Sequence, residues 1–226
     1  MSAITFFCSL TRRIKLFSLL LLGGLFCGEY ALASDADDLR KGVRAYQSGD
    51  YDFALRYIRP LAERNNDEAQ ALLAWMYQKG FGVKKNYEES VKWNKRAAVK
   101  GNPSAQYNLA KQYKNSNGVS YSRDEMLKWF WRSAQQGYHH AQMELGVLYE
   151  SGYQVARNDK LAVSLHCLAT LNGNQESRLR LRDKGVPLKE CRKKKWSIAV
   201  LAQAYIKETK TEQKEQLRLE EKKKSE

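Results

Sequence analysis

The feature that most constrains this chain is an internal period of 36 residues. Ala69, Ala105 and Ala141 are one step apart, as are Gln70, Gln106 and Gln142. The same step links Leu73, Leu109 and Leu145, then Tyr77, Tyr113 and Tyr149, then Val83, Val119 and Val155. Gly101, Gly137 and Gly173 keep it, and Trp93 and Trp129 share it. A fixed period of this size marks stacked supersecondary units, none of which can bury its apolar face alone. Within a unit, Ala69, Leu73 and Tyr77 form one apolar stripe at helical spacing. Lys79 to Val83 then interrupts the helix with Gly80 and Gly82, residues that tolerate positive φ. Trp93, Ala97 and Ala98 make a second stripe, and Gly101 ends it. Each unit therefore reads as helix–loop–helix. Small Ala and Gly positions let neighbouring helices approach, and Leu, Trp and Tyr fill the gaps between them.

Composition supports a packed helical chain. Of 226 residues 43% are hydrophobic, and there are only 14 Gly and 3 Pro, which excludes a disordered or low-complexity polypeptide. Four Cys are too few for a small disulfide scaffold. The net charge is +14, which by itself suggests an acidic partner such as nucleic acid. The N-terminal segment argues against that partner. Arg12, Arg13 and Lys15 precede an apolar run from Leu16 to Phe26, and Ala31-Leu32-Ala33 follows as a small-x-small cleavage pattern. This order predicts a signal peptide over 1–33, cut before Ser34. The run falls short of the ~20 apolar residues a spanning helix needs. The expected chain is periplasmic or secreted, has no transmembrane segment after cleavage, and does not meet nucleic acid.

The repeated residues resemble the Sel1-like repeat family, a relative of the tetratricopeptide repeat. Its pattern runs A-x-x-x-L-G-x-x-Y-x-x-G-x-G-V, then A-x-x-W-Y-x-K-A-A-x-x-G. Ala69, Leu73, Tyr77, Gly80, Gly82, Val83, Trp93, Ala97, Ala98 and Gly101 supply it here, and two further copies follow. The departures are Ser90 and Met126 at the small residue opening the second helix, Ser116 at a loop glycine, and Leu165 at the tryptophan. The resemblance implies an all-α fold, a right-handed superhelical solenoid of helix–turn–helix repeats closed by a C-terminal capping helix. The expected boundaries are repeats at 69–104, 105–140 and 141–176, all within a domain spanning 34–206. Residues 36–66 read as a divergent first repeat. The period fades after Gly173, so 177–206 are expected to form the cap, and 207–226 a charged tail.

The resemblance also implies a non-catalytic scaffold for a protein partner, with an acidic polymer or anionic surface as a further possible ligand. In such arrays the first helix of each unit lines a concave groove. Trp75, Gln78, Tyr107, Lys111, Lys114 and Met143 are the expected groove residues, with Trp75, Tyr107 and Met143 forming an apolar strip in register. Nine basic and three acidic residues give 175–206 a charge of +6, half of the +12 left after signal cleavage. Arg192, Lys193, Lys194 and Lys195 are the centre of this basic cap.

Chemistry is sparse. There is no G-x-S-x-G, H-E-x-x-H or phosphate-loop motif. No cofactor or metal is expected, since adjacent His139 and His140 diverge by about 100° on a helix and His166 stands apart. The alternative is a secreted β-lactamase or penicillin-binding hydrolase like the cysteine-rich Sel1 proteins. Against it, the mature chain has no S-x-x-K and no Cys pair within each repeat. Cys167 and Cys191, its only two cysteines, are expected to form a disulfide that ties the last repeat to the cap.

Overall fold

A computed structural model describes residues 34–193 and Arg218. The expected signal segment, Lys194 and Lys195, and all of the tail except Arg218 lie outside the described residues. Among the described residues every regular element is a helix and no strand occurs. The chain divides into two compact units, one up to Ala69 and one from Gln70 onward.

In the first unit α1 covers 34–47 and α2 covers Tyr51–Glu63. Asp50 caps α2 by accepting from the Phe53 amide at 3.1 Å. Ala54, Ile58, Leu61 and Ala62 form the buried stripe of α2. Gly42 belongs to the same contact, since a Cβ there would stand 2.6 Å from the end of Ile58.

From there α3 covers Asp67–Lys79, α4 Tyr87–Val99, α5 Pro103–Asn115, α6 Arg123–Gln135, α7 His139–Ser151 and α8 Asp159–Leu171. Each is 13 residues long, so the 36-residue step recurs in the helix boundaries. Two shorter helices follow, α9 (Gln175–Asp183) and α10 (Leu188–Lys193). From α4 to α9 each helix packs on the next, and α10 packs back on α8.

The starts of these helices repeat as faithfully as their cores. Asn86, Ser122 and Asn158 cap α4, α6 and α8 by accepting from the amides of Glu89, Glu125 and Leu161. Asn102 and Asn174 do the same for α5 and α9. A side-chain oxygen there satisfies one of the amides that a first helical turn leaves unpaired. Tyr138, at the matching position before α7, makes no such bond.

The core between α4 and α8 is one cluster. Leu109 and Leu145 are fully buried at equivalent positions, as are Ala105 and Ala141, while Trp129, Phe130, Tyr149 and Leu165 fill the space between helices. The recurring glutamines are part of this core. Gln106 donates to the Ala98 carbonyl and Gln142 to the Ala134 carbonyl, both at 3.0 Å. Gln136 then donates to the Gln106 side chain at 2.8 Å, and Asn172 to Gln142 at 3.0 Å. Each buried amide thus adds a bond to a helix-end carbonyl of the preceding repeat and itself accepts from the residue that ends the second helix of its own repeat.

The C-terminal end keeps the period longer than its side-chain pattern suggests. Pro103, His139 and Gln175 open α5, α7 and α9 one step apart, so α9 occupies the place of a further first helix. A disulfide joins Cys167 of α8 to Cys191 of α10, and both half-cystines are buried beside Leu181.

Candidate functional site

The expected groove residues sit on α3, α5 and α7. Tyr107 is the best organised of them. Its ring lies 5.9 Å from Phe130, 5.4 Å from Tyr138 and 5.8 Å from His140, and the Lys111 ammonium stands 5.5 Å over it. Burial, reinforced by Glu144 and Tyr138, pushes the Tyr107 hydroxyl pKa well up, so it remains a neutral O–H. His139 and His140 do not diverge as expected. Their rings stand 4.1 Å apart at the first turn of α7. Burial, with the nearby charges of His139 and Lys111, lowers the His140 pKa. His139 is engaged by Asn174 at 3.2 Å.

Lys114 is half-buried and paired with Glu144 at 2.8 Å. Trp75 is half-buried with the Lys79 ammonium 4.6 Å over its ring. Gln78 is also half-buried, and its side-chain oxygen makes no hydrogen bond among the described residues. Met143 is a correction to the expected strip: it is only 9% exposed and belongs to the interior more than to a surface. The register also differs. By the 36-residue step Tyr107 and Met143 are equivalent to Ala71, while Trp75 is equivalent to Lys111 and Val147. The resulting face alternates rings with ammonium groups and has no continuous apolar strip.

The basic cap is redistributed. Arg192 is exposed on α10, and Lys193 ends that helix. Arg178 and Arg182 line a cleft of about 580 Å³ between α9 and α10, together with Leu179, Val186 and Pro187.

One constellation was not legible as a motif. His166 shares a 3.1 Å hydrogen bond with the Ser177 hydroxyl, and its other ring nitrogen lies 3.4 Å from the Glu150 carboxylate. Serine, histidine and acid in contact suggest an activated nucleophile. Here His166 and Ser177 are both fully buried, so no substrate carbonyl reaches the hydroxyl. No group of three metal-ligating side chains occurs among the described residues. No helix among them is long and apolar enough to cross a membrane.

Comparison with known families decides what the repeats are. The Sel1 repeat matches three times, at 67–102, 103–138 and 139–174. Residues 67–174 are three Sel1 repeats. Two solved structures share the fold. A Sel1 repeat protein from Oxalobacter formigenes is 29% identical with a TM-score of 0.60, the match covering 67% of this chain and 62% of that one. A protective antigen present in uropathogenic Escherichia coli strains, which displays an SLR fold, is 30% identical with a TM-score of 0.61. That match covers 78% of this chain and 38% of the antigen. The chain therefore spans less than two thirds of either structure. Comparison with curated proteins returns no match. The Sel1 frame begins two residues before the 69–104, 105–140 and 141–176 frame, with the same step. Its edges fall at the observed starts of α3, α5 and α7.

Proposed function

We propose that this Sel1-repeat chain is a non-catalytic scaffold that binds a segment of another protein along the first-helix face of its repeats. Sel1 repeats are interaction modules, and that coarse reading follows from the repeats themselves. The observation that carries the finer reading is the Tyr107 cluster. Half-buried rings held by their neighbours present contact area with little rotamer entropy left to lose. Aromatic anchors of this kind dominate binding energies. Lys79 and Lys111, each over a ring, add a preference for carboxylates in the partner segment.

The proposal includes export to the periplasm or beyond, supported by the order of charge, apolar run and Ala31-Leu32-Ala33 in the first 33 residues. The Cys167–Cys191 disulfide fits an oxidising compartment. Edman sequencing of protein recovered from its host checks this: a first residue of Ser34 is expected, and a chain retaining Met1 contradicts it.

Binding is tested with the Trp75→Ala, Lys111→Glu double variant, which alters one equivalent position in two repeats. With a partner identified by cross-linking and then purified, the variant should keep its melting temperature. It should lose at least about tenfold in affinity, the effect of a residue contributing more than ~1.4 kcal/mol. Unchanged affinity contradicts the assigned face.

A further inference from the structure

The junction between the third repeat and α9 is built differently from the two junctions before it, and the internal period shows how. Position 166 of α8 corresponds to Asn94 and Phe130, position 177 of α9 to Ala105 and Ala141, and position 146 of α7 to Ala74 and Ala110. At this junction the three are His166, Ser177 and Gly146. They touch one another. A Cβ at residue 146 would stand 2.7 Å from the His166 ring, so only glycine leaves room for the imidazole. Ser177, at a position that is alanine in all three repeats (Ala69, Ala105 and Ala141), shares its hydroxyl with the ring.

The charges around the ring balance only while it is neutral. From α7, Glu150 faces it at 3.4 Å. The same carboxylate takes the Lys184 ammonium at 2.7 Å and the Arg180 guanidinium at 3.5 Å, both from α9 and the residue that follows it. Besides these, α10 packs on α8 through Cys191. Arg180 is also paired with Glu176 of α9 at 3.0 Å, so two carboxylates already answer two cations, and a proton on the fully buried ring would add an uncompensated third.

We propose that Gly146, Glu150, His166 and Ser177 form an acid-sensitive latch that holds α9 on α8 at neutral pH and releases it when His166 gains a proton. The 24-residue separation between the half-cystines encloses α9, so its release is local and reversible while the disulfide keeps α10 tethered. The titration direction agrees. Burial lowers the His166 pKa below its ordinary 6.5, with Arg180 and Lys184 adding to the effect and Glu150 opposing it. A histidine lowered in the folded state contributes stability that is complete above the ordinary value and is lost as pH falls through the folded one.

The test is hydrogen exchange of α9 amides, normalised to α5 amides, in the intact oxidised chain at about pH 7 and about pH 5, across the histidine range. Relative protection of α9 is expected to fall several-fold on acidification, and to stay level in His166→Asn, which restores the residue found at position 94. A wild-type α9 that holds its relative protection overturns the latch, as does an equal fall in His166→Asn. If that variant does not fold, ring NMR of wild-type His166 decides. A midpoint below that of ordinary histidine supports the proposal, and one at or above it overturns it.

Discussion

At the scale of single residues, the buried glutamines do what apolar residues cannot. A helix end leaves carbonyls without partners, and burying one unpaired costs free energy. Gln142 lies in the core with its amide on the Ala134 carbonyl and its oxygen on Asn172. Gln142→Leu removes both bonds, but the Ala134 carbonyl keeps the Gly137 amide at 3.0 Å and Asn172 is open to water. The substitution should lower stability by about 1 kcal/mol in urea unfolding, the usual net worth of a lost hydrogen bond where no buried group is left unpaired. Ser116 points the other way. It holds φ 55° at the C-terminus of α5, where the matching residues of the other repeats are Gly80 and Gly152. A left-handed conformation costs an L-residue roughly 1–2 kcal/mol. Ser116→Gly should thus raise stability by up to about 1 kcal/mol in the same measurement, less than the full steric term because glycine loses more entropy on folding. Both positions are legible in the sequence as recurrences or departures. What the glutamines bond to is not, because a recurring polar residue has the same spacing whether it faces water or a carbonyl.

At the scale of elements, side-chain periodicity located the helices and missed how far they continue. The apolar stripe fades after Gly173, yet Asn174 caps α9 in phase with Asn102. Capping depends on one polar atom and leaves no trace in an apolar pattern. The His166 junction was obscured for a related reason: its three members are ordinary as single departures and become a group only when 74, 110 and 146, then 94, 130 and 166, are aligned with the contacts in view. The disulfide acts on the same elements. In the chain-entropy picture, closing a loop of this length contributes about 3 kcal/mol. Cys191→Ser should lower stability by up to that amount and free α10 from α8. Limited proteolysis is expected to cut between Gly185 and Arg192 in the variant well before the oxidised chain is cut there. Equal cutting rates contradict a clamping role.

At the scale of the whole molecule, the +14 charge reads differently once the repeats are placed. Much of it is engaged locally: Lys79, Lys95, Arg96, Lys111, Lys128 and Arg132 each stand over an aromatic ring, and Lys184 and Arg180 converge on Glu150. Arg178 on α9 and Arg192 on α10 remain exposed. The fold class was legible because a solenoid repeats its packing rules in every unit. The proposed binding face is written in the sequence only in outline, since surface positions are free to differ between repeats: position 75 is Trp, its equivalents Lys111 and Val147.

The central claim is that this first-helix face meets the partner. Site-specific photo-cross-linking tests it most directly, with the reactive group placed at Lys111 on α5 and, for comparison, at Lys95 on α4. The account predicts one partner captured from position 111 and little or none of it from position 95. Equal capture from both positions, or capture from position 95 alone, would contradict it.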